Sequence, residues 1–519
     1  MESFLKSRKK SNSLVALARH DKPAAIPRVL SYATWTGERL RGFWAPLIAG
    51  ATVAGVLVVY VVLISGGQLT DWQTKTYGFS MLADAFMTGQ TSLLIKPSPE
   101  LLQLADPYDP IQNIHVRLGD ASLYKEKYYW YLGPIPALML IPVKVWCDNY
   151  LTVIGDQYLV FVFVAGLLMA QTAIILRAGK AFYPGAPPWT LVPMIIALAL
   201  ALPVTWLIYS PGMLETAISG GQCFAFIGLY CAMTALPPGK IAAWKLLLAG
   251  IAWTLAVGCR LSLAPAIGVV ALLTLWELAR TGEIAWRSWR YLLATAALLL
   301  PLVAGAIGQG IYNRVRFESW TETGWTYQLA WMNHKALAGT GYIVSPRYIL
   351  PNLYRYLLEL PKIVPDPPYV GLEDGVHGLV RWFPPPQVNA LERTAGMLWS
   401  APFCLLALGA FWPRRRTYGM PKGAEAAPAP SPTAGTQPWL LRSLAALVVL
   451  GMAPVLCTIG SVERYLADGA PAVMLLAVLG AWRLLRRASL SAPPRWPAYA
   501  IVVLLSLLTA TFGLLLVPW

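Results

Sequence analysis

The stretch DASLYKEKYYWYLGP (120–134) closes a long polar and aromatic run, 66–130, set between two apolar segments. The run carries carboxylates, lysines and tyrosines throughout, and it begins just after an apolar stretch, 44–64. Unpaired polar groups in hydrocarbon cost on the order of several kcal/mol each, so such a run sits outside the bilayer core or at its surface. It reads as an extramembrane assembly fastened to the first span, and function is expected there.

Composition makes the rest of the chain membranous. Of 519 residues 57% are hydrophobic and 13% charged, about half the charge of a typical soluble domain. Mean hydropathy is +0.53. The net charge of +16 sits mostly in the N-terminus and in short segments between spans. The positive-inside rule produces that pattern by itself, so no nucleic-acid partner is expected. The six cysteines show no Cys-x-x-Cys pair and the four histidines no His-x-x-x-His spacing. Neither a disulfide framework nor a metal site is indicated, and no cofactor is assigned; a role for a divalent cation is left open.

Apolar runs predict an all-α polytopic membrane protein with about eleven transmembrane helices and two large extracytoplasmic loops. The spans are expected near 44–64, 151–176, 190–209, 217–236, 243–260, 262–280, 291–311, 394–412, 438–459, 469–486 and 497–518. They divide the chain into a basic cytoplasmic N-terminus (1–43), the first helix (44–64), a first outer loop with juxtamembrane helices (65–150) and a helical block (151–311). A second outer loop (312–393) and a C-terminal block (394–519) complete it, the latter with a Pro/Ala-rich disordered cytoplasmic linker at 413–438. Lys6 through Arg41 place the N-terminus inside; Arg177, Lys180, Lys240, Arg280, Arg287, Arg290, Arg414, Arg415, Arg416, Arg486 and Arg487 then share that side. The agreement requires that 132–147, short and holding Pro134, Pro136 and Pro142, be an interfacial or re-entrant helix rather than a crossing. A multi-pass protein of a cell inner (plasma) membrane is implied.

Acids outside the cytoplasmic segments gather on the outer side: Asp71, Asp84, Glu100, Asp106, Asp109, Asp120 and Glu126 in the first loop, Glu318, Glu322, Glu359, Asp366, Glu373 and Asp374 in the second, and Glu463 and Asp468 near the last spans. Desolvation at a membrane surface disfavours the charged form of a carboxylate, which suits it to accept a proton. Asp71, just past the first span and ahead of YGFSMLADAFM (77–87), is the foremost candidate, although a helix N-cap is its plain structural reading. Asp84 lies within that amphipathic run, where a wet helix face would equally hold it. Arg117, Lys125 and Lys127 end the first loop, while Arg260 and Arg464 sit at span ends opposite most basic residues. Such charges are functional candidates and suit phosphate, with interfacial snorkelling as the alternative. Tyr128 and Tyr129 belong to an aromatic run that is either an interfacial belt or a platform for sugar rings.

Two segments, Asp71 followed by YGFSMLADAFMTGQ (77–90) and KEKYYWYLGP (125–134), together with the layout, resemble the GT-C superfamily of polytopic glycosyltransferases, in particular the protein O-mannosyltransferase and aminoarabinose-transferase branch. The stretches AVGCR (256–260), YNRVRF (312–317), GWTYQL (324–329) and ERYLAD (463–468) are similar to bacterial members of that superfamily. The resemblance covers most of the chain. It implies a polyprenyl-phosphate-sugar donor, an extracytoplasmic glycan, lipid or protein acceptor, and transfer with inversion. Asp71 would be the general base, with Asp84 beside it. Lys127, Arg260 and Arg464 would hold the departing polyprenyl phosphate, with Arg117, Tyr128, Tyr129 and Glu463 completing the substrate site. A lipid-linked-glycan flippase, a polysaccharide polymerase or ligase, and a non-catalytic assembly subunit are the competing readings. Charges that avoid the span centres favour surface chemistry over transport.

Overall fold

The computed structural model describes residues 28–147, 152–184, 186–236, 242–280, 288–372, 392–412, 436–490 and 496–517. The N-terminal basic residues before 28, the linker residues 413–435 and the residues Lys240, Arg287, Glu373, Asp374, Arg414, Arg415 and Arg416 named above lie outside them.

Helix α1 (Arg28–Ile64) stops at Gly66 and Gly67, whose φ angles of 58° and 87° lie in the left-handed region that glycine tolerates. The first loop then forms α2 (Gly78–Met87), a hairpin of β1 (Ala121–Tyr124) and β2 (Lys127–Trp130), and α3 (Ile135–Trp146). Helices α4 (Asp156–Phe182), α5 (Leu191–Ala199), α6 (Leu202–Tyr209), α7 (Met213–Ala235), α8 (Ala243–Cys259), α9 (Ala264–Arg280) and α10 (Trp289–Phe317) follow. After a second loop with α11 (Ile349–Leu358) and a 3-10 segment, Pro402–Phe411, the chain ends in α12 (Thr436–Leu456), α13 (Ala470–Leu490) and α14 (Trp496–Leu515).

Among the described residues seven helices are long and apolar enough to cross a membrane, or eight if the pair Pro188–Ala199 and Leu202–Tyr209, bent by 56°, is one span. All eleven predicted spans fall on helical segments, but three fall short of a crossing by length or composition. Helix α8 is 17 residues long. The segment predicted at 394–412 is split into Met397–Ser400 and Pro402–Phe411, with Pro402 at the break. Helix α13 carries Arg483, Arg486 and Arg487 in its last turns. The chain is a multi-pass helical protein with fewer self-evident crossings than hydropathy alone predicts.

One end of the bundle gathers Ile64, Asp156, Tyr209, Met213, Cys259, Phe317, Leu456 and Ala470, where helices meet the long loops. Helix α3 does not add to this traffic. Its twelve residues rise roughly 18 Å, short of a ~30 Å hydrocarbon core. It packs on α2 and α8, with buried Lys144 donating to Asp84 at 2.5 Å and to Thr152 O at 3.1 Å. The second large loop begins later than 312, because α10 runs on to Phe317 and ends at Glu318 in a left-handed conformation (φ 59°). What carries the helix that far is buried Arg316. Its guanidinium donates to Trp130 O at 2.5 Å and Asn313 Oδ1 at 2.9 Å and stacks 3.7 Å from the Tyr312 ring, tying the helix end to the hairpin.

Helix α7 is the most enclosed candidate span, 78% buried against 11% for α10. Its glycines explain the fit. A Cβ on Gly228 would lie 2.4 Å from the Trp253 ring, and one on Gly221 would lie 2.8 Å from Arg260 Cβ. Small residues let α8 close on α7, as in membrane helix packing generally, and so fix where Arg260 emerges.

The first loop is seated by a residue that sequence reasoning passed over. Asp156, fully buried at the start of α4, accepts from Thr76 Oγ1 (2.6 Å) and from the backbone N–H groups of Gly78 (2.9 Å) and Phe79 (3.2 Å). Helix α2 has no side-chain cap of its own, so Asp156 serves the orphan donors of its first turn from another helix. Replacing Asp156 by Ala strands these donors and is expected to cost about 2–3 kcal/mol. Thermal unfolding and protease cutting within 66–130 measure this; unchanged melting and cutting would contradict the capping role.

Candidate functional site

The two loops fold onto each other before they form a cavity. The β1–β2 pair is antiparallel with Ala121 opposite Trp130 and Tyr124 opposite Lys127. Lys125 and Glu126 turn with φ of 48° and 61°, the primed-turn geometry that matches strand twist. The second loop lies along β1: Leu329 N–H donates to Ala121 O (2.8 Å), Asp120 N–H to Leu329 O (3.0 Å) and Ser122 Oγ to Gly324 O (2.8 Å). Farther on, Ser345 N–H donates to Cys457 O and Ile459 N–H to Ile343 O, joining that loop to the end of α12.

These contacts enclose a cavity of about 620 Å³ at the loop end of the bundle, in the size range of small-molecule sites. One wall comes from the loops and carries Asp120, Trp325, Gln328, Trp331 and His334. Helix ends contribute Arg260, Arg464 and Tyr465, and the segment after β2 adds Tyr131. The 131–134 segment lies so close to the α8 terminus that a Cβ on Gly133 would fall 1.9 Å from Gly258 O. That approach sets Tyr131 beside Arg260.

Arg260 donates to both Asp468 carboxylate oxygens, at 2.6 and 3.2 Å, and Asp468 is buried. Arg464 is held more loosely, with Glu392 at 3.4 Å and Glu215 at 3.8 Å, and its buried Nε has no hydrogen-bond partner among the described residues. The two guanidiniums lie 5.5 and 5.6 Å from the Tyr465 ring. On the loop wall, Asp120 has φ 61° and accepts from Gln328 Nε2 at 2.9 Å. His334 Nδ1 is 3.2 Å from Trp325 O, and its ring packs 4.7 Å from Trp325. Burial lowers the His334 pKa below its ordinary value, against the Trp325 carbonyl and the Asp120 charge, which raise it.

Of the residues singled out from sequence, Arg260 and Arg464 meet in this cavity. Glu463 is adjacent in the chain but turned away: it is fully buried, accepts from Ala395 N–H at 3.1 Å, and does not line the cavity. Asp71 is exposed on the loop after α1 and is not among the lining residues. Its loop does reach the Arg464 edge, since Lys75 donates to Tyr209 O at 3.1 Å close to Glu215. Asp84 is committed to the Lys144 ion pair. Lys127 is exposed at the hairpin. Arg117 braces the loops, donating to Asn113 Oδ1 (2.8 Å) and Ala330 O (2.5 Å). Tyr128 and Tyr129 are buried under the hairpin, Tyr128 accepting from Leu118 N–H and Tyr129 packing on Phe317. Tyr128 and Tyr129 therefore pack within the hairpin, while Tyr131 of the same run lines the cavity with Trp325, Trp331 and Tyr465.

Sequence reasoning did not single out Asp120, Gln328, His334 or Asp468 as site members. Their partners lie as many as 208 positions away, as in Arg260–Asp468 and Gln328–Asp120, and no local spacing signals them. Among the described residues no three His, Cys, Asp or Glu side chains come together as a metal set.

Burial pushes the Glu463 carboxyl up to about 8, against the Ala395 N–H and the Arg355 charge, which lower it. A raised folded-state value means that the folded protein holds this proton more tightly than the unfolded chain. The stabilising effect is complete below about pH 4.5 and is lost as pH rises to about 8. Glu463→Gln is therefore expected to melt progressively above wild type from pH 5 to 8, by on the order of a few kcal/mol, and to hold that lead beyond. A gap independent of pH would contradict the assignment.

Three solved structures are similar in outline. The oligosaccharyltransferase AglB of Archaeoglobus fulgidus, in complex with an inhibitory peptide and a dolichol-phosphate, matches 92% of this chain at 11% identity with a TM-score of 0.45. The oligosaccharyltransferase of the same organism matches in the apo form (90% of this chain, 12% identity, TM-score 0.42) and tethered to an NVT-sequon acceptor peptide (91%, 11%, 0.42). This chain spans 55% of the length of each. No family model and no curated protein matches it.

Proposed function

We infer that this chain is a membrane glycosyltransferase that moves a sugar from a polyprenyl-phosphate-linked donor to the hydroxyl of an extracytoplasmic glycan, lipid or protein, with inversion. One observation carries the reading: a cavity beside the apolar bundle is lined by two arginines together with Asp120, Glu392 and an imidazole. In such a transfer the bond from the anomeric carbon to phosphate oxygen breaks and charge gathers on the phosphate. Arg260 and Arg464 offer charge-assisted donors for that charge, which strengthens their hold as the transition state is reached. Apolar Leu214, Leu261, Val455 and Ile459 line the same cavity and suit the first prenyl units. Trp325 and Trp331 suit the faces of a sugar.

The acceptor hydroxyl loses its proton on the loop wall. Asp71 is the carboxylate that the family resemblance assigns to this step, and Asp120 is the one that lines the cavity. Mass-spectrometric profiling of envelope glycans and glycolipids from a deletion strain, complemented with wild type, Asp71→Asn or Asp120→Asn, tests both. The reading expects one sugar modification to disappear on deletion and to return with wild type. A carboxylate whose Asn variant restores it fully is not the base. No glycan change on deletion would contradict the whole reading.

A transporter of lipid-linked glycans is favoured by one feature, the 56° break between Pro188–Ala199 and Leu202–Tyr209, since broken helices build transport sites. A transporter would leave the donor's sugar–phosphate bond intact, so release of free polyprenyl phosphate separates the two.

A further inference from the structure

His334 follows no catalytic motif in the sequence, yet its surroundings resolve what its ring can do. The only acceptor its Nδ1 meets among the described residues is the Trp325 carbonyl, 3.2 Å away. A carbonyl cannot donate, so Nδ1 carries the hydrogen, and in the neutral ring the lone pair is left on Nε2. Nε2 has no hydrogen-bond partner among the described residues and is not one of the buried atoms left without one. The residue lines the cavity, and its ring packs at a tilt of 57° against Trp325, with centroids 4.7 Å apart. The charged groups that line the cavity with it are Asp120, Arg260, Glu392 and Arg464, and of these Asp120 acts electrostatically on the ring. Lys335, next in the chain, is drawn away over the Tyr108 ring at 4.4 Å. Asp120 is held in place by Gln328 Nε2 and by its own N–H on Leu329 O.

We propose that His334 Nε2 is the group that takes the acceptor's proton, with Asp120 as a positioning residue that stabilises the resulting imidazolium. The proposal rests on the glycosyltransferase reading. The acceptor O–H gives its proton to Nε2, and the freed oxygen pair forms the bond to the anomeric carbon. The bond from that carbon to the phosphate oxygen breaks, and its electron pair leaves on the polyprenyl phosphate. Nε2 then returns its proton to water. Burial keeps the imidazole neutral, and so able to act as a base, at neutral pH.

The test uses the full-length protein in detergent, with polyprenyl-phosphate-sugars extracted from host membranes as donors and envelope extract as acceptor. Release of polyprenyl phosphate and the pH profile are read together. His334→Gln is expected to lower turnover by on the order of 10²-fold or more, and free imidazole to restore part of the activity of His334→Ala. The wild-type rate should fall below a pKa under 6.5, the ordinary imidazole value. Asp120→Asn, which keeps an oxygen for Gln328, should lower the rate less than His334→Gln does and move that limb to lower pH. Full activity in His334→Gln, or loss of all activity in Asp120→Asn with the His334 variants unaffected, overturns the proposal and leaves the glycosyltransferase reading standing. If His334 variants do not fold, the Asp120→Asn shift still decides: an unmoved limb overturns the proposal. Wild type that releases no polyprenyl phosphate overturns both.

Discussion

Arg464→Ala is expected to abolish most sugar transfer while leaving the protein folded. Its ion pairs are loose, 3.4 and 3.8 Å; the one to half-exposed Glu392 contributes about 0–1 kcal/mol, and buried Glu215, 3.8 Å away, keeps Lys75 nearby when the guanidinium is removed. What the side chain offers is a set of donors. Its Nε is buried with no partner among the described residues, while the residue lines the cavity, where its guanidinium offers charge-assisted donors to a phosphate. Removing one preorganised donor from a developing oxyanion costs on the order of 10²–10³ in rate. Arg464→Lys keeps the charge and loses the fork, so it should retain an intermediate rate. The check is polyprenyl-phosphate release at saturating donor, alongside a thermal melt. Wild-type rates in Arg464→Ala would remove this residue from the leaving-group site.

The second large effect falls on stability. Arg260 and Asp468 join the ends of α8 and the last outer turn through short, shared hydrogen bonds, and Asp468 has no solvent exposure on its side chain. Removing either partner leaves a buried charge uncompensated, which costs about 3–5 kcal/mol. Arg260→Ala and Asp468→Ala should each melt far below wild type, and the double variant should melt above the sum of the two losses. Transfer should not return with that recovered stability, because the guanidinium facing the cavity is still missing. Strict additivity of the two losses would show that the pair is not coupled. Restored transfer in the double variant would show that Arg260 acts only as a brace.

The contrast between these two arginines also marks where the sequence is legible. Both could be found from sequence because a charge at an apolar helix end is conspicuous against its neighbours. Their different bonding could not, since Asp468 and Glu215 are brought to them only by packing of α7, α8 and α13. Helices follow the same division. Apolar runs predict α7, α9, α12 and α14 to within four residues at each end, because burial in lipid or in the bundle imposes one composition over a full span. The α8 and 394–412 segments are apolar yet short, and only neighbours decide whether they run the length of the bundle. Asp71 and Asp84 were conspicuous as acids in a polar loop, but a carboxylate's role is set by what it faces. Asp84 faces Lys144. Asp156, which no local pattern marks, seats the first loop, because the donors it serves lie 77 to 80 positions earlier. Asp120, Gln328 and His334 became neighbours through strand-like pairing of two loops, which no periodicity in either loop announces.

The most direct measurement is incubation of the purified protein with polyprenyl-phosphate-sugars labelled in the sugar, with envelope extract as acceptor, followed by analysis of both products. Free polyprenyl phosphate together with labelled acceptor of inverted anomeric configuration, both nearly lost in Arg464→Ala, is the predicted result. Donor recovered intact from wild type, or transfer undiminished in Arg464→Ala, would contradict the assignment of this cavity to sugar transfer.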